Sequence, residues 1–88
     1  MRLRLATSCA LALLASPAVS QSICADLWRE RNSIYRNAGY CFKTPRAIRA
    51  FGSAGCSYDD IADVPLSARE RADIMDITRE EHVRGCPR

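Results

Sequence analysis

The chain has 88 residues, 48% of them hydrophobic and 26% charged, with a formal net charge of +3 and five cysteines. A chain of that length makes one small domain with a limited core. The modest charge argues against a dedicated nucleic-acid binder, which carries a strongly basic surface.

The first segment reads as a targeting signal. Arg2 and Arg4 form a basic n-region, Leu5–Ala15 an apolar h-region, and Ser16-Pro17-Ala18-Val19-Ser20 a small-residue c-region. Ala18 and Ser20 satisfy the cleavage rule, so residues 1–20 are expected to leave by a cut near Ser20–Gln21, and residues 21–88 form a single domain. The apolar run is shorter than the ~20 residues of a bilayer span, so no membrane span is expected in the mature chain. Cys9 sits within the run rather than after it, unlike a lipid acceptor, and leaves with the signal. Without Arg2 and Arg4, eleven basic side chains face ten acidic ones, a net charge of +1. The basic residues concentrate before Cys56 and the acidic ones after it, so the two halves are expected to face each other.

Four cysteines remain, Cys24, Cys41, Cys56 and Cys86. An even number after an export signal predicts two disulfides. A zinc site would bring its ligands in close pairs, whereas the spacings here are 17, 15 and 30.

The mature chain reads as three helices, at about 24–38, 45–51 and 68–84, with a long loop at 52–66. The first is expected to begin near Ser22 as N-cap, with Asp26 in its first turn. Leu27, Trp28, Ile34, Tyr35 and Ala38 fall on one stripe at helical spacing. Arg31 lies on the same stripe, where its stem packs and its guanidinium must find a carboxylate or a free carbonyl. Gly39 stops the helix, and Tyr40 and Phe42 drive rings inward on either side of Cys41. Thr44-Pro45 opens the second helix as N-cap and first residue; Ala47, Ile48 and Phe51 are its apolar face, and Gly52 ends it. The loop holds Cys56, Tyr58 and the acidic residues Asp59, Asp60 and Asp63, which lack the ligand order of a calcium-binding loop. Ser67-Ala68-Arg69-Glu70 is a capping box for the third helix. Ala72, Ile74, Met75, Ile77 and Val83 read as its apolar side, and Arg69–Asp73 and Glu80–Arg84 as ion pairs at i,i+4. Gly85 ends it. The fold class is therefore all-α, a small disulfide-stapled three-helix domain.

Four cysteines allow three pairings. Cys24 and Cys41 lie at opposite ends of one helix, about 20 Å apart at ~1.5 Å per residue, which is beyond disulfide reach. Two sets remain. If the third helix runs antiparallel to the first, Cys24–Cys86 and Cys41–Cys56 form a nested set, which the short second helix and long loop favour. A strict up-down-up bundle gives Cys24–Cys56 with Cys41–Cys86.

The residues Leu27-Trp28, Arg31-Asn32, Tyr35, Gly39-Tyr40-Cys41-Phe42, Phe51, Cys56 and Gly85-Cys86 give the chain its most distinctive pattern. In these it resembles the YARHG-domain family, in a cysteine-containing bacterial variety with the signature LW, RN and GYCF. The name-giving segment is represented by Tyr35-Arg36-Asn37-Ala38-Gly39, which keeps the Tyr and the Gly. The resemblance spans the mature chain. It implies an exported, compact helical domain, periplasmic or secreted, and brings no catalytic residues.

The residues themselves give no catalytic constellation. His82 is the only histidine, and its place near a helix C-terminus suits a surface residue stabilised by the dipole. With the cysteines oxidised no Cys–His nucleophile remains, and Ser33, Ser53 and Ser57 have no evident base. We therefore expect no enzyme, no cofactor and no metal. The expected function is a monomeric, non-catalytic binding module of the bacterial envelope. Its candidate ligand edge is Arg36, Lys43, Arg46 and Arg49, and its partner an envelope component or a protein. The alternative is a secreted effector or inhibitor that inserts the loop at Ser57–Val64 into a protein partner.

Overall fold

The computed structural model describes residues 17–87. The n- and h-regions of the expected signal, Cys9 included, lie outside the described residues. Three α-helices follow one another: α1 Pro17–Asn37, α2 Pro45–Phe51 and α3 Ala68–Val83, with one 3₁₀ turn at Ile61–Asp63. Among the described residues there is no β-strand, only an isolated parallel bridge between Tyr40 and Tyr58. The all-α, disulfide-stapled class expected from the sequence is the one found.

α1 is already helical at Pro17, the first described residue and five residues before the expected cap, and Ala18 to Gln21 contain no helix breaker. In the full chain Ser22 therefore lies inside the helix instead of capping it, and Asp26 lies well past the first turn.

The C-terminal ends of α1 and α3 are built alike. Tyr40 N–H donates to the carbonyl of Tyr35 at 3.0 Å and Gly39 N–H to that of Arg36 at 3.1 Å. In α3, Cys86 N–H donates to Glu81 at 2.9 Å and Gly85 N–H to His82 at 3.1 Å. Both are the six-to-one and five-to-two bonds of a Schellman ending, which needs a left-handed residue at its turn. Gly39 and Gly85 supply it, with φ of 99° and 70°.

α3 returns antiparallel along α1. Cys24 bonds Cys86, and seven residues further along α1, Arg31 meets Glu81. Farther on still, Ile34 and Ile77 line one cleft between the helices. That direction produces the nested disulfides, Cys24–Cys86 and Cys41–Cys56. α2 starts as expected, with Ala47 N–H donating to Thr44 Oγ1 at 3.2 Å behind Pro45. Its Phe51 stacks on Phe42 with ring centroids 5.2 Å apart and reaches Trp28 at 5.8 Å. Phe42 also meets Tyr40 edge-on at 5.2 Å, and Tyr40 meets Tyr35 at 6.1 Å. One chain of rings thus runs from Tyr35 back to Trp28, two residues of the same helix, and encloses the turn between α1 and α2. Edge-on and offset pairs of this kind stabilise beyond the area they bury.

The long loop is more ordered in its bonding than its composition foretells. Ser57 and Tyr58 N–H groups both donate to the Gly39 carbonyl, and Cys41 N–H donates to Tyr58. These bonds hold Cys56 beside Cys41. Asp60 Oδ1 caps the 3₁₀ turn by accepting from Ala62 N–H at 3.0 Å, and Val64 is buried after it.

α3 begins with the expected capping box: Ser67 Oγ accepts from Glu70 N–H, and the Glu70 carboxylate accepts from Ser67 N–H. Its apolar side differs from the expectation. Met75 is 63% and Val83 75% exposed, and Ala72 is exposed too. The buried residues of α3 are Ile77 and Glu81, Glu81 only 5% exposed, with Ile74 half-buried one turn before them. Helical geometry puts these three at i, i+3 and i+7 on one face, and the acid among them hides that face from a count of apolar residues.

Candidate functional site

Most of the distinctive residues hold the fold together. Asn32 donates its Nδ2 to the Trp28 carbonyl at 2.9 Å. Arg31 donates Nε and Nη2 to Glu81 Oε1 and Oε2 at 2.8 and 3.1 Å. Leu27, Trp28 and Tyr35 are half-buried along α1, and Phe42 is buried.

The four expected ligand-edge residues fall in different places. Lys43 and Arg46 share a groove of about 340 Å³ with Trp28, Arg31, Asn32, Tyr40, Phe42 and Thr44, rimmed by Ile61 and Pro87. Arg36 lines a separate hollow with Tyr40, Phe51 and the loop 52–56. Arg49 lines neither. Lys43 pairs with Asp59 at 2.9 Å, both side chains being well exposed; such a pair is weak and salt-sensitive. Arg46 differs. Its guanidinium carbon lies 3.8 Å from the centroid of the Trp28 indole, a cation–π contact, and among the described residues no carboxylate pairs with it. On its other side a second cavity of about 300 Å³ is lined by Ser20, Gln21, Cys24, Ala25, Arg84 and Gly85, and again by Arg46 and Pro87.

No periodicity signals the stacking of Arg46 on Trp28. The two lie 18 residues apart in different helices, and only the return of the chain through Gly39–Phe42 brings them together. Glu81 was equally hidden as the partner of Arg31. The need for an acid was readable from the stripe, its address was not.

His82 is exposed beside Ile74, Met75, Thr78 and Arg79. Ser33 gives its hydroxyl to the Arg29 carbonyl at 2.8 Å. Among the described residues, no group of three or more His, Cys, Asp or Glu side chains is placed to hold a metal. The groove thus sets one ring-stacked cation beside two acid-paired ones, neutral hydrogen-bonding groups and aromatic rings.

A family profile described as the YARHG domain matches residues 4–81, most of the chain. The chain belongs to the YARHG domain family. No curated protein and no solved structure matches it. The groove of this YARHG domain draws Trp28 and Lys43 from within the matched span and Pro87 from beyond it. Disulfides persist in oxidising compartments, and the two here, together with the YARHG domain, point to an extracytoplasmic protein. Among the described residues, no helix is long and apolar enough to cross a membrane.

Proposed function

We propose that this YARHG domain is a non-catalytic binding module of the bacterial envelope. In this reading it is exported by a signal cleaved near Ser20–Gln21 and works in the periplasm or outside the cell, as a monomer without cofactor or nucleic acid. The observation that carries the reading is Arg46, laid on Trp28 in an open groove with no carboxylate beside it among the described residues. Arg31, which serves the fold, is paired with Glu81, whereas Arg46 is held by a ring and not by an acid. A cation fixed in place without its counter-charge is suited to take one from a ligand.

A second reading, a secreted effector or inhibitor, draws support from Ile61. It is 49% exposed on the Asp60-capped turn and stands at the rim of the groove, a form suited to insertion into a protein surface. Affinity capture from envelope extract with the immobilised, oxidised protein separates the two. The module reading expects a polymer or lipid that elutes as salt rises. A single stoichiometric protein partner, lost on Ile61→Ser, supports the inhibitor instead. An empty capture at low salt removes both.

A further inference from the structure

Three cations line the groove beside Trp28, and Arg31 and Lys43 are held by Glu81 and Asp59. Arg46 alone among them has no carboxylate partner in the described residues. A guanidinium lying face-down on a ring keeps its N–H edge outward, and the stacking has already restricted its rotamers, so less freedom is lost when it binds. That edge fits a planar oxyanion in a two-pronged hydrogen bond.

The surroundings narrow the class of oxyanion. Arg46 and Pro87 line both cavities, so the guanidinium stands where the two hollows meet, and a ligand longer than one small molecule can lie across it. On the far side Arg84 is held by Glu80, as Arg31 and Lys43 are by their own acids, and the remaining polar lining groups are neutral. Asn32 uses its Nδ2 on the Trp28 carbonyl, which leaves its oxygen as acceptor. Thr44 Oγ1 accepts from Ala47 N–H, which leaves its hydroxyl proton to donate. Gln21, which stays after the cut near Ser20–Gln21, adds an amide on the far side. One unpaired cation set among paired ones and neutral donors and acceptors suits a ligand that offers many hydroxyls beside a carboxylate. A nucleic-acid strand would call for a row of cations tracking its phosphates, and a membrane surface for a broad basic and apolar face.

We propose that the groove binds a carboxylated polysaccharide, a chain of uronic-acid sugars, with Arg46 clasping one carboxylate. This deepens the binding-module reading and rests on it.

Trp28 is the only tryptophan, so its fluorescence reports on the residue beneath Arg46. Polygalacturonate, alginate and hyaluronate, each titrated into the oxidised protein at low salt, are the probes. At least one is expected to change Trp28 emission saturably and to bind less tightly as salt rises, while neutral dextran leaves the emission unchanged. Arg46→Lys keeps the charge but loses the stacked fork, and should weaken binding by about tenfold. Arg49→Gln, on the same helix but lining neither cavity, should stay within about twofold. Matching thermal midpoints show that both variants are folded. Silence from all three polymers, or full binding by Arg46→Lys, overturns the proposal, as does tighter binding to a single-stranded oligonucleotide or to phosphatidylglycerol vesicles. If the polymers are silent and envelope extract still shifts Trp28 emission, the ligand class falls and the module reading stands; if both are silent, both fall.

Discussion

Glu81 is 5% exposed on a helix whose other acids are exposed or half-buried, and its two oxygens are both taken by Arg31. A buried pair of this kind gains little over an apolar pair of similar shape, because desolvating two charges offsets their attraction. Losing one partner is another matter, since the remaining charge stays buried and unmatched. We expect Arg31→Met to destabilise the domain by about 3 kcal/mol, the low end for such pairs because the Arg31 side chain keeps 27% of its surface. The double change Arg31→Met with Glu81→Leu should recover most of that. Urea unfolding of the two single variants and the double gives the coupling directly, and additive losses would show that the pair does not act as a unit. Here the sequence was half legible. An arginine on the apolar stripe between Leu27 and Tyr35 has to be satisfied, but its acid lies 50 residues away and carries no local mark. The same acid misdirected the reading of α3, where Met75 and Val83 were expected inside.

At the scale of elements, the helix ends were the most legible features. Thr44-Pro45, the Ser67 box, Gly39 and Gly85 act through bonds within a few residues, so their chemistry is written locally. Beyond them the signal fades. The start of α1 was misplaced because nothing between Pro17 and Ser22 opposes helix, and a capping residue inside a permissive stretch need not cap. The return of Ser57 and Tyr58 onto Gly39 was invisible, being a contact of one loop with another turn. It makes Gly39 doubly constrained. Its φ is 99°, and a methyl group there would stand 3.2 Å from two atoms of the Tyr58 ring. Gly39→Ala should therefore cost about 2 kcal/mol, more than the conformational term alone. Thermal unfolding would measure it. Gly85→Ala, with φ of 70° and no atom within 4 Å of the added carbon, should cost less, and equal losses would mean that Tyr58 simply moves aside.

For the whole molecule, the two disulfides close spans of very different length, 15 and 62 residues. In the chain-entropy account the stabilisation grows with the logarithm of the span, to about 3 and about 4 kcal/mol. Either is a large share of what a domain this small retains. Replacing Cys24 and Cys86 together by serine should lower the urea midpoint more than replacing Cys41 and Cys56. The opposite order would place the weight on the ring cluster beside Cys41. The nested pairing was legible because helix length excluded one set and the direction of α3 favoured another. The groove was not. Its walls come from Trp28, Arg46, Ile61 and Pro87, which meet only once every element is in place, so no window of sequence contains it.

The Cys24–Cys86 bond has one more consequence. It turns the chain from 24 to 86 into a closed ring, with Cys41–Cys56 as a bridge inside it. A protease that cuts once anywhere between those two ends opens the ring without releasing a piece. Outside the cytoplasm, where peptidases are met and thiol reductants are scarce, a nicked molecule stays one covalent body. Its severed ends remain held beside their neighbours by the helix packing and the bridge.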